Sequence, residues 1–362
     1  MKKVVLLLSV IAMALTLGSC YDFLDTRLQM IAYGLAIDKE DDAYHISVEV
    51  IKTAGESSEE NKTGSVIYKA QGGNVYLAMN NLYQSADKMF YWGHLEVVII
   101  SERVVEQEFL GLVDILTREP QIYLNTRLLI CKENSEQFLQ AGVRQGNIAT
   151  AGLKDILETN TLLGRRKTSH IWQINRLMDY ENYTVSLPYV AIGEGEEPAI
   201  AGTAIIKGGR LLKVLDESQT QNLLFLHDDL KGGYLTTFEI EPQIRTSLEI
   251  IKNNCGMEYS IKGGQGRARY KIITFVSVFE MSREYDLKNP ENRRRIERLA
   301  AEQIEHELRE FIRQNPEDIY GYSQKIAQKY PRENPEDIRG IANKTQIEFD
   351  IKVVLSESRM MM

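Results

Sequence analysis

The sequence has little cysteine, little tryptophan and, after its first residues, no long apolar run. Three cysteines and two tryptophans stand among 362 residues. Three cysteines allow at most one disulfide, so a disulfide-rich scaffold is excluded. From residue 20 onward no run approaches the roughly 20 apolar residues that a membrane-spanning helix needs. We therefore predict a body that does not itself cross a membrane.

The chain also lacks an excess of positive charge. It carries 43 basic and 51 acidic residues, a net charge of −8. A nucleic-acid-binding protein usually presents a basic face, and many membrane-surface proteins carry a polybasic segment. The acidic balance excludes a broad footprint for nucleic acid and a general attraction to anionic lipid.

No spacing typical of a metal or catalytic site stands out. The histidines His45, His94, His170, His227 and His306 are widely separated and form no H-E-x-x-H motif or paired helix face. His227 opens a His-Asp-Asp run, for which a solvated turn is favoured over a cation site. We predict that the chain is not an enzyme and has no catalytic residue, metal or cofactor.

Two further segments carry weak signals. Gly263–Gly266 precedes a strand and lacks the Gly-Lys-Ser/Thr of a phosphate loop, so a hairpin turn is favoured. Aromatic residues cluster at Tyr83, Phe90, Tyr91 and Trp92. Core packing is the favoured interpretation of this cluster, and a ligand cleft is the alternative.

The first twenty residues have the features of an export signal. Lys2 and Lys3 precede a 14-residue apolar stretch, Val4–Leu17. A basic start, a short apolar core and small residues before the cut are typical of a secretory signal peptide. The sequence Leu-Gly-Ser-Cys that ends at Cys20 resembles a bacterial lipobox. We predict cleavage after residue 19 and acyl chains, palmitate among them, on Cys20; ordinary secretion is the alternative.

Removal of residues 1–19 leaves 343 residues with a net charge of −10, long enough for more than one domain. A run of glycine, acid and proline between Gly193 and Pro198 discourages regular structure. We therefore predict an N-terminal domain over 20–192, with room for two subdomains, a linker over 193–200 and a C-terminal domain over 201–362. Cys131 and Cys255 could pair, although a buried core position suits Cys131 better.

Apolar periodicity predicts an α+β protein with several domains, in which mixed β-sheets pack against helices. The first domain is predicted to be layered, because strands and helices alternate. Its predicted strands are Met30–Ile37, His45–Ile51, Leu95–Ser101, Arg127–Cys131 and Val185–Ile192. A loop is predicted over Thr53–Gly64. The predicted helices are Val75–Lys88, Glu102–Thr117, Ser135–Ala141 and most of Ile148–Met178, in which Arg165–Lys167 is a solvated loop.

The second domain is predicted to be rich in strands and to contain one long amphipathic helix. Gly208 and Gly209 suit a two-residue hairpin turn between Gly202–Lys207 and Arg210–Leu215. Further predicted strands are Leu235–Glu241, Arg245–Lys252, Tyr259–Lys262, Arg269–Phe279 and Ile347–Leu355. The long helix is predicted from the cap Asn289 to Pro316, with a buried stripe of Ile296, Leu299, Ile304, Leu308, Phe311 and Ile312. A shorter helix is predicted over Ile319–Tyr330.

Three stretches together resemble the Ger(x)C family, the lipoprotein C-subunits of spore germinant receptors. Cys20–Asp38 is similar to the family's Cys-Trp-Asp opening and first strand, with Tyr21 in place of tryptophan. His94–Lys132 resembles its His-strand-helix segment, and Ala201–Leu226 its Gly-x-Ala-x-Phe-Lys hairpin and following helix. Asp318–Pro331 also fits a late helix of the family, whereas the last five residues depart from its usual ending.

The resemblance implies a non-catalytic receptor subunit that is required for nutrient-triggered germination. Such a subunit is anchored through Cys20 to the extracytoplasmic face of the cell membrane, which becomes the spore inner membrane. Its implied partners are membrane-embedded A-type and B-type subunits. The alternative is the solute-binding lipoprotein of an ABC-type importer, with a ligand cleft between two lobes.

Overall fold

The computed structural model describes most of the chain after residue 28. The described residues are 29–52, 64–132, 134–144, 148–164, 167, 170–178, 183–193, 197–241, 244–281, 285–330 and 334–356, together with Lys3. Apart from Lys3, the predicted signal peptide lies outside them, as do Cys20 and all but the last residue of the predicted loop Thr53–Gly64.

The strands and helices alternate in the first half and separate in the second. The strands are β1 (Gln29–Glu40), β2 (Ala43–Ile51), β3 (Ser65–Gly72), β4 (Met89–Tyr91), β5 (Val97–Ser101), β6 (Arg127–Cys131), β7 (Thr184–Ile192), β8 (Pro198–Lys207), β9 (Arg210–Leu215), β10 (Tyr234–Glu241), β11 (Ile244–Lys262), β12 (Gln265–Met281) and β13 (Gln346–Leu355). The helices are α1 (Val75–Leu82), α2 (Glu102–Arg118), α3 (Glu136–Arg144), α4 (Ala149–Leu162), α5 (Ile171–Met178), α6 (Glu217–Leu226), α7 (Pro290–Gln314), α8 (Tyr322–Lys329) and α9 (Pro335–Asn343).

The first sheet runs in the order β3-β2-β1-β5-β6-β7-β8-β9, with β4 paired to β1. Its centre is parallel, since β1, β5, β6 and β7 all point the same way. These strands are nearly continuous apolar runs because both faces are covered. Helices α1, α2 and α5 supply Val75, Leu112 and Ile174 to one core, whereas α3 and α4 supply Phe138 and Leu153 to the other.

The hairpin β8–β9 joins this first sheet, although it follows the predicted boundary. β8 pairs antiparallel with β7 along its whole length, and Gly208 and Gly209 make the predicted turn with φ of 56° and 82°. Pro198–Ile200, predicted as linker, already belong to β8. The chain between 193 and 197 therefore joins two hydrogen-bonded strands, and the division into domains 20–192 and 201–362 remains a prediction.

The second sheet has the order β10-β11-β12-β13 and buries one face. Along β12 the burial alternates, with Tyr270 and Ile272 inside and Lys271 and Ile273 outside. Helix α7 covers the inner face with Ile296, Ala300, Ile304, Leu308 and Phe311, so the predicted stripe holds, while Leu299 and Ile312 are partly buried beside it. Asn289 caps α7 as predicted, since its Oδ1 accepts the Glu291 N–H at 2.9 Å.

The α+β class and the two mixed sheets packed with helices are confirmed, but several boundaries were wrong. Helix α1 ends at Leu82 rather than Lys88, because the chain turns there to enter β4. The predicted pair Arg245–Lys252 and Tyr259–Lys262 is one strand, β11, held by continuous pairing with β12. Strand β3 and helix α9 were not predicted. Helix α8 begins three residues late, after Gly321 at φ 78°.

Cys131 and Cys255 do not pair with each other: Cys131 is buried in the first sheet and Cys255 is half-buried in the second. Within the described part of the chain, no helix is both long enough and apolar enough to cross a bilayer.

Candidate functional site

A cleft of about 680 Å³ lies where the two sheets meet. Its walls come from α5 and the start of β7 on one side, and from the turn after α6, β11 and the start of α8 on the other. It is the candidate site because it unites charged side chains from both halves of the chain.

The central contact of the cleft is a triad of Lys167, His227 and Asp229. The Lys167 ammonium donates to His227 Nδ1 at 2.8 Å and lies 3.3 Å from Asp229 Oδ2. The predicted solvated loop was wrong for Lys167, because only 23% of its side chain is exposed. The other two residues of that predicted loop, 165 and 166, lie outside the described residues.

Burial disfavours the charged form of His227. Desolvation and the neighbouring Lys167 charge hold the pKa of His227 well below its usual value, against a backbone hydrogen bond to Tyr320 that raises it. A neutral ring presents Nδ1 as an acceptor, which is the role that the Lys167 contact requires. The arrangement fixes two chain segments to each other and leaves Nδ1 occupied.

The next residue, Asp228, is also occupied. It takes a left-handed conformation at φ 58°, and its Oδ1 accepts the Cys255 N–H at 2.6 Å. Burial and the Asp228 charge raise the pKa of the Cys255 thiol to about 12. A thiol so weakly acidic is protonated at neutral pH and is a poor nucleophile.

Asp318, buried beside the cleft, joins the second half to the first through its backbone carbonyl. Asp318 accepts the N–H groups of Tyr322 and Ser323 at 2.9 and 2.7 Å, which caps α8. Its backbone carbonyl accepts from Thr184 Oγ1 at 3.2 Å and Lys207 Nζ at 3.0 Å. Burial lowers the pKa of Lys207. The polar groups here hold the interface together.

The geometry of the cleft suits a structural joint better than a reaction centre. His227, Asp228 and Asp318 each contact a partner within the fold. Across the described residues, no group of three or more histidine, cysteine, aspartate or glutamate side chains is arranged to hold a metal ion.

A second depression of about 630 Å³ lies at the carboxyl ends of β1 and β5. Open α/β sheets commonly bind ligands at such an edge. Asp38 accepts both the N–H and the hydroxyl of Ser135 at 2.8 and 2.7 Å and so caps α3. Glu136 is held by Lys69 and Ser47. The acids of this crevice therefore serve the fold.

The structure places the remaining sequence-predicted residues outside the cleft around His227. His94 and His306 are not brought together with His227, and Gly263 and Gly264 form the predicted hairpin turn with φ of 58° and 76°. The aromatic cluster is core: Phe90 lies 5.4 Å from the Tyr83 ring and 5.7 Å from the Trp92 ring, centroid to centroid. Cys20, the predicted lipidation site, lies outside the described residues.

Comparison with known proteins gives one consistent result. Residues 27–192 match the family model described as the spore germination protein N-terminal domain, and residues 201–358 match the one described as spore germination B3/GerAC like, C-terminal. The predicted spore germination protein YfkR of Bacillus subtilis (strain 168) is 24% identical over 270 residues, covering 69% of this chain and 67% of that protein.

A solved structure shares the fold. The crystal structure of the GerBC protein superposes with a TM-score of 0.55 at 15% identity, covering 89% of this chain and 96% of that one. The likeness includes both halves of the molecule.

Proposed function

Because the chain belongs to the GerAC family of spore germination proteins, we propose that it is the lipid-anchored C-subunit of a germinant receptor. In this proposal it sits on the extracytoplasmic face of the cell membrane, later the spore inner membrane, held by acyl chains on Cys20. It acts there with A-type and B-type membrane subunits in nutrient-triggered germination.

The observation that carries the proposal is the pair of family matches, which follow each other along the chain and cover nearly all of it after residue 26. Both belong to the same germination family, and this order favours a germination subunit over the importer lipoprotein considered from the sequence. The lipobox-like sequence before Cys20 supports the anchor.

A non-catalytic role fits the chemistry of the cleft. Its histidine is neutral and occupied, and its cysteine is protonated. We therefore propose that the protein works by holding surfaces in place, with the two halves fastened to each other through Lys167, His227 and Asp318.

Labelling with a radioactive fatty acid in the producing cell tests the anchor. Wild-type protein should take up label and fractionate with membranes, whereas Cys20→Ala should lose the label and accumulate as precursor or leave the membrane. Cys255→Ala is the matched control, because Cys255 is a half-buried thiol and should leave labelling unchanged. Label that persists on Cys20→Ala would refute the assigned anchor.

The partner assignment has a separate test. Affinity purification of the tagged full chain from gently solubilised membranes should recover the A-type and B-type subunits, and the Cys20→Ala strain should germinate poorly on nutrients. Recovery of an importer permease in their place would contradict the receptor assignment.

A further inference from the structure

Four large apolar side chains lie exposed at the end of the first sheet where its parallel strands begin. Met89, Tyr123, Leu124 and Trp172 are 51, 61, 41 and 39% exposed. We call these four residues the edge patch. Single exposed apolar residues are ordinary, whereas several on one edge mark a surface that meets a partner.

Hydrogen bonds fix the part of the edge patch that Tyr123, Leu124 and Trp172 form. The Trp172 N–H donates to the Leu124 carbonyl at 3.1 Å, and a turn from Tyr123 to Thr126 closes at 2.9 Å. The same loop reaches the neighbouring turn, because Gln121 Oε1 accepts the Trp92 N–H at 3.3 Å. The aromatic residues are thus presented by a fixed loop and the first turn of α5.

The predicted anchor enters the fold at this same edge. Gln29 begins β1 and is the register partner of Met89. Eight residues separate Cys20 from Gln29. Since a residue spans at most about 3.5 Å, an anchored Cys20 keeps the start of β1 within about 30 Å of the lipid. The carboxyl ends of the parallel strands lie one strand length from the start of β1.

We propose that the edge patch rests on the lipid bilayer that anchors Cys20, with Trp172 and Tyr123 at the level of the headgroups. The inference rests on the proposed function, since it takes the anchor at Cys20 as given. It adds an orientation: the start of the parallel strands faces the membrane, and the crevice at their carboxyl ends faces away from it.

The chemistry of the edge patch suits a lipid interface. Tryptophan and tyrosine have an apolar body and a polar tip, which is why they concentrate where bilayer meets water. The Arg176 guanidinium lies 5.6 Å from the Trp172 ring centre and can reach lipid phosphates while stacked. An acidic chain gains little from general electrostatic attraction, so apolar contact is the second signal that stabilises acyl anchoring.

Tryptophan fluorescence gives a direct test because the chain has only two tryptophans. Trp92 is 3% exposed and packed in the core, so quenching from the lipid reports on Trp172. The lipidated full chain is placed in phosphatidylcholine vesicles whose acyl chains carry bromine near the headgroup. We expect a loss of emission relative to unbrominated vesicles, and we expect Trp172→Phe to abolish that loss.

Two variants make the test specific to the edge patch. The double variant Tyr123→Ser/Leu124→Ser should reduce bromine quenching of Trp172. Phe279→Ser is the matched control, because Phe279 is 64% exposed in the second half of the chain and should leave quenching unchanged. Equal quenching in all variants would overturn the proposal.

Vesicle flotation separates failure of the anchor from failure of the orientation. The protein could float with the vesicles while aqueous acrylamide quenches Trp172 emission and brominated lipid does not. That result would refute the orientation alone. Shielding from both quenchers would assign the edge patch to a protein partner or a second copy and would equally refute it. Protein that does not float would refute the anchor, and the orientation with it.

Discussion

The two sheets of the molecule bury their strands in different ways. In the first, β5 and β6 are covered on both faces, and Val97–Ser101 is buried at every position. In the second, β12 alternates between a core face under α7 and an open face of charged residues. The centre of the first sheet therefore has no face open to solvent. In the second sheet, many outward-facing side chains can be substituted without a change in the core.

Polar groups show the same contrast. Glu49 is fully buried in the first half of the chain. Its Oε1 accepts hydrogen bonds from Ser65 Oγ at 2.8 Å and from the Ala149 N–H at 2.7 Å. Its Oε2 accepts from the Thr150 N–H at 2.8 Å and from the Thr150 hydroxyl. Glu258 on the open face lies 3.7 Å from Lys271, and both side chains are mostly exposed. The first carboxylate caps a helix from within the core, and the second pairs with a cation in solvent.

The largest expected effect comes from placing the same charge in each sheet. Ile99→Asp buries an unpaired carboxylate between two helix layers and should cost about 5 kcal/mol or more, enough to prevent folding. Ile273→Asp, 40% exposed and next to Lys352 on β13, should cost less than about 1 kcal/mol. Urea unfolding and soluble yield measure both. Similar losses in the two variants would show that the open face is covered in the folded protein.

A smaller effect is expected from neutralising the two glutamates. The substitution Glu49→Gln keeps the shape of the side chain but weakens the charge-assisted hydrogen bonds to α4. It also points the new amide hydrogens at groups that are themselves donors, so the free energy of unfolding should fall by about 2–4 kcal/mol. Glu258→Gln should change the free energy of unfolding by less than about 1 kcal/mol, because exposed ion pairs contribute little. Denaturant titration compares them. A loss at Glu258 that matched the loss at Glu49 would break the contrast.

The fold was most predictable where local pattern and burial agree. The apolar run of β6 predicted its bounds, and the cap and stripe of α7 predicted that helix. The pattern failed where distant pairing decides. β11 runs through Asn253–Gly256 because β12 pairs with it throughout, and β8 joins the first sheet because β7 accepts it. A short stretch of sequence contains no signal for either of these strand pairings.

The candidate site was less predictable than the fold. Glu49 sits in an alternating strand where a polar residue is expected to face solvent, yet its partners Ala149 and Thr150 lie about 100 positions away. Lys167 follows two arginines in a stretch that reads as solvated, and its partners lie 60 positions on. Such long-range pairs have no signal in spacing. The sequence shows the His-Asp-Asp run that begins at His227, but its role as a joint depends on which residues the fold places opposite it.

The smallest expected effect, and the one that tests where the two halves meet, is a pH dependence at His227. Its pKa is held well below the ordinary value near 6.5 that the unfolded chain shows. Below that pH the unfolded state binds a proton that the folded state refuses, so stability falls as pH falls, by up to about 1.4 kcal/mol per unit for one proton. Above it the histidine contributes no slope.

Urea unfolding between about pH 7 and pH 5 measures this slope. His227→Gln keeps an amide at the Lys167 contact but cannot titrate, so part of the slope should disappear even if the variant is less stable at every pH. His94→Gln is the matched control, because it replaces an exposed histidine outside the cleft. If wild type and His227→Gln lost stability in parallel as pH fell, the histidine would be protonated equally in both states. The histidine would then make no pH-dependent contribution to the joint between the halves.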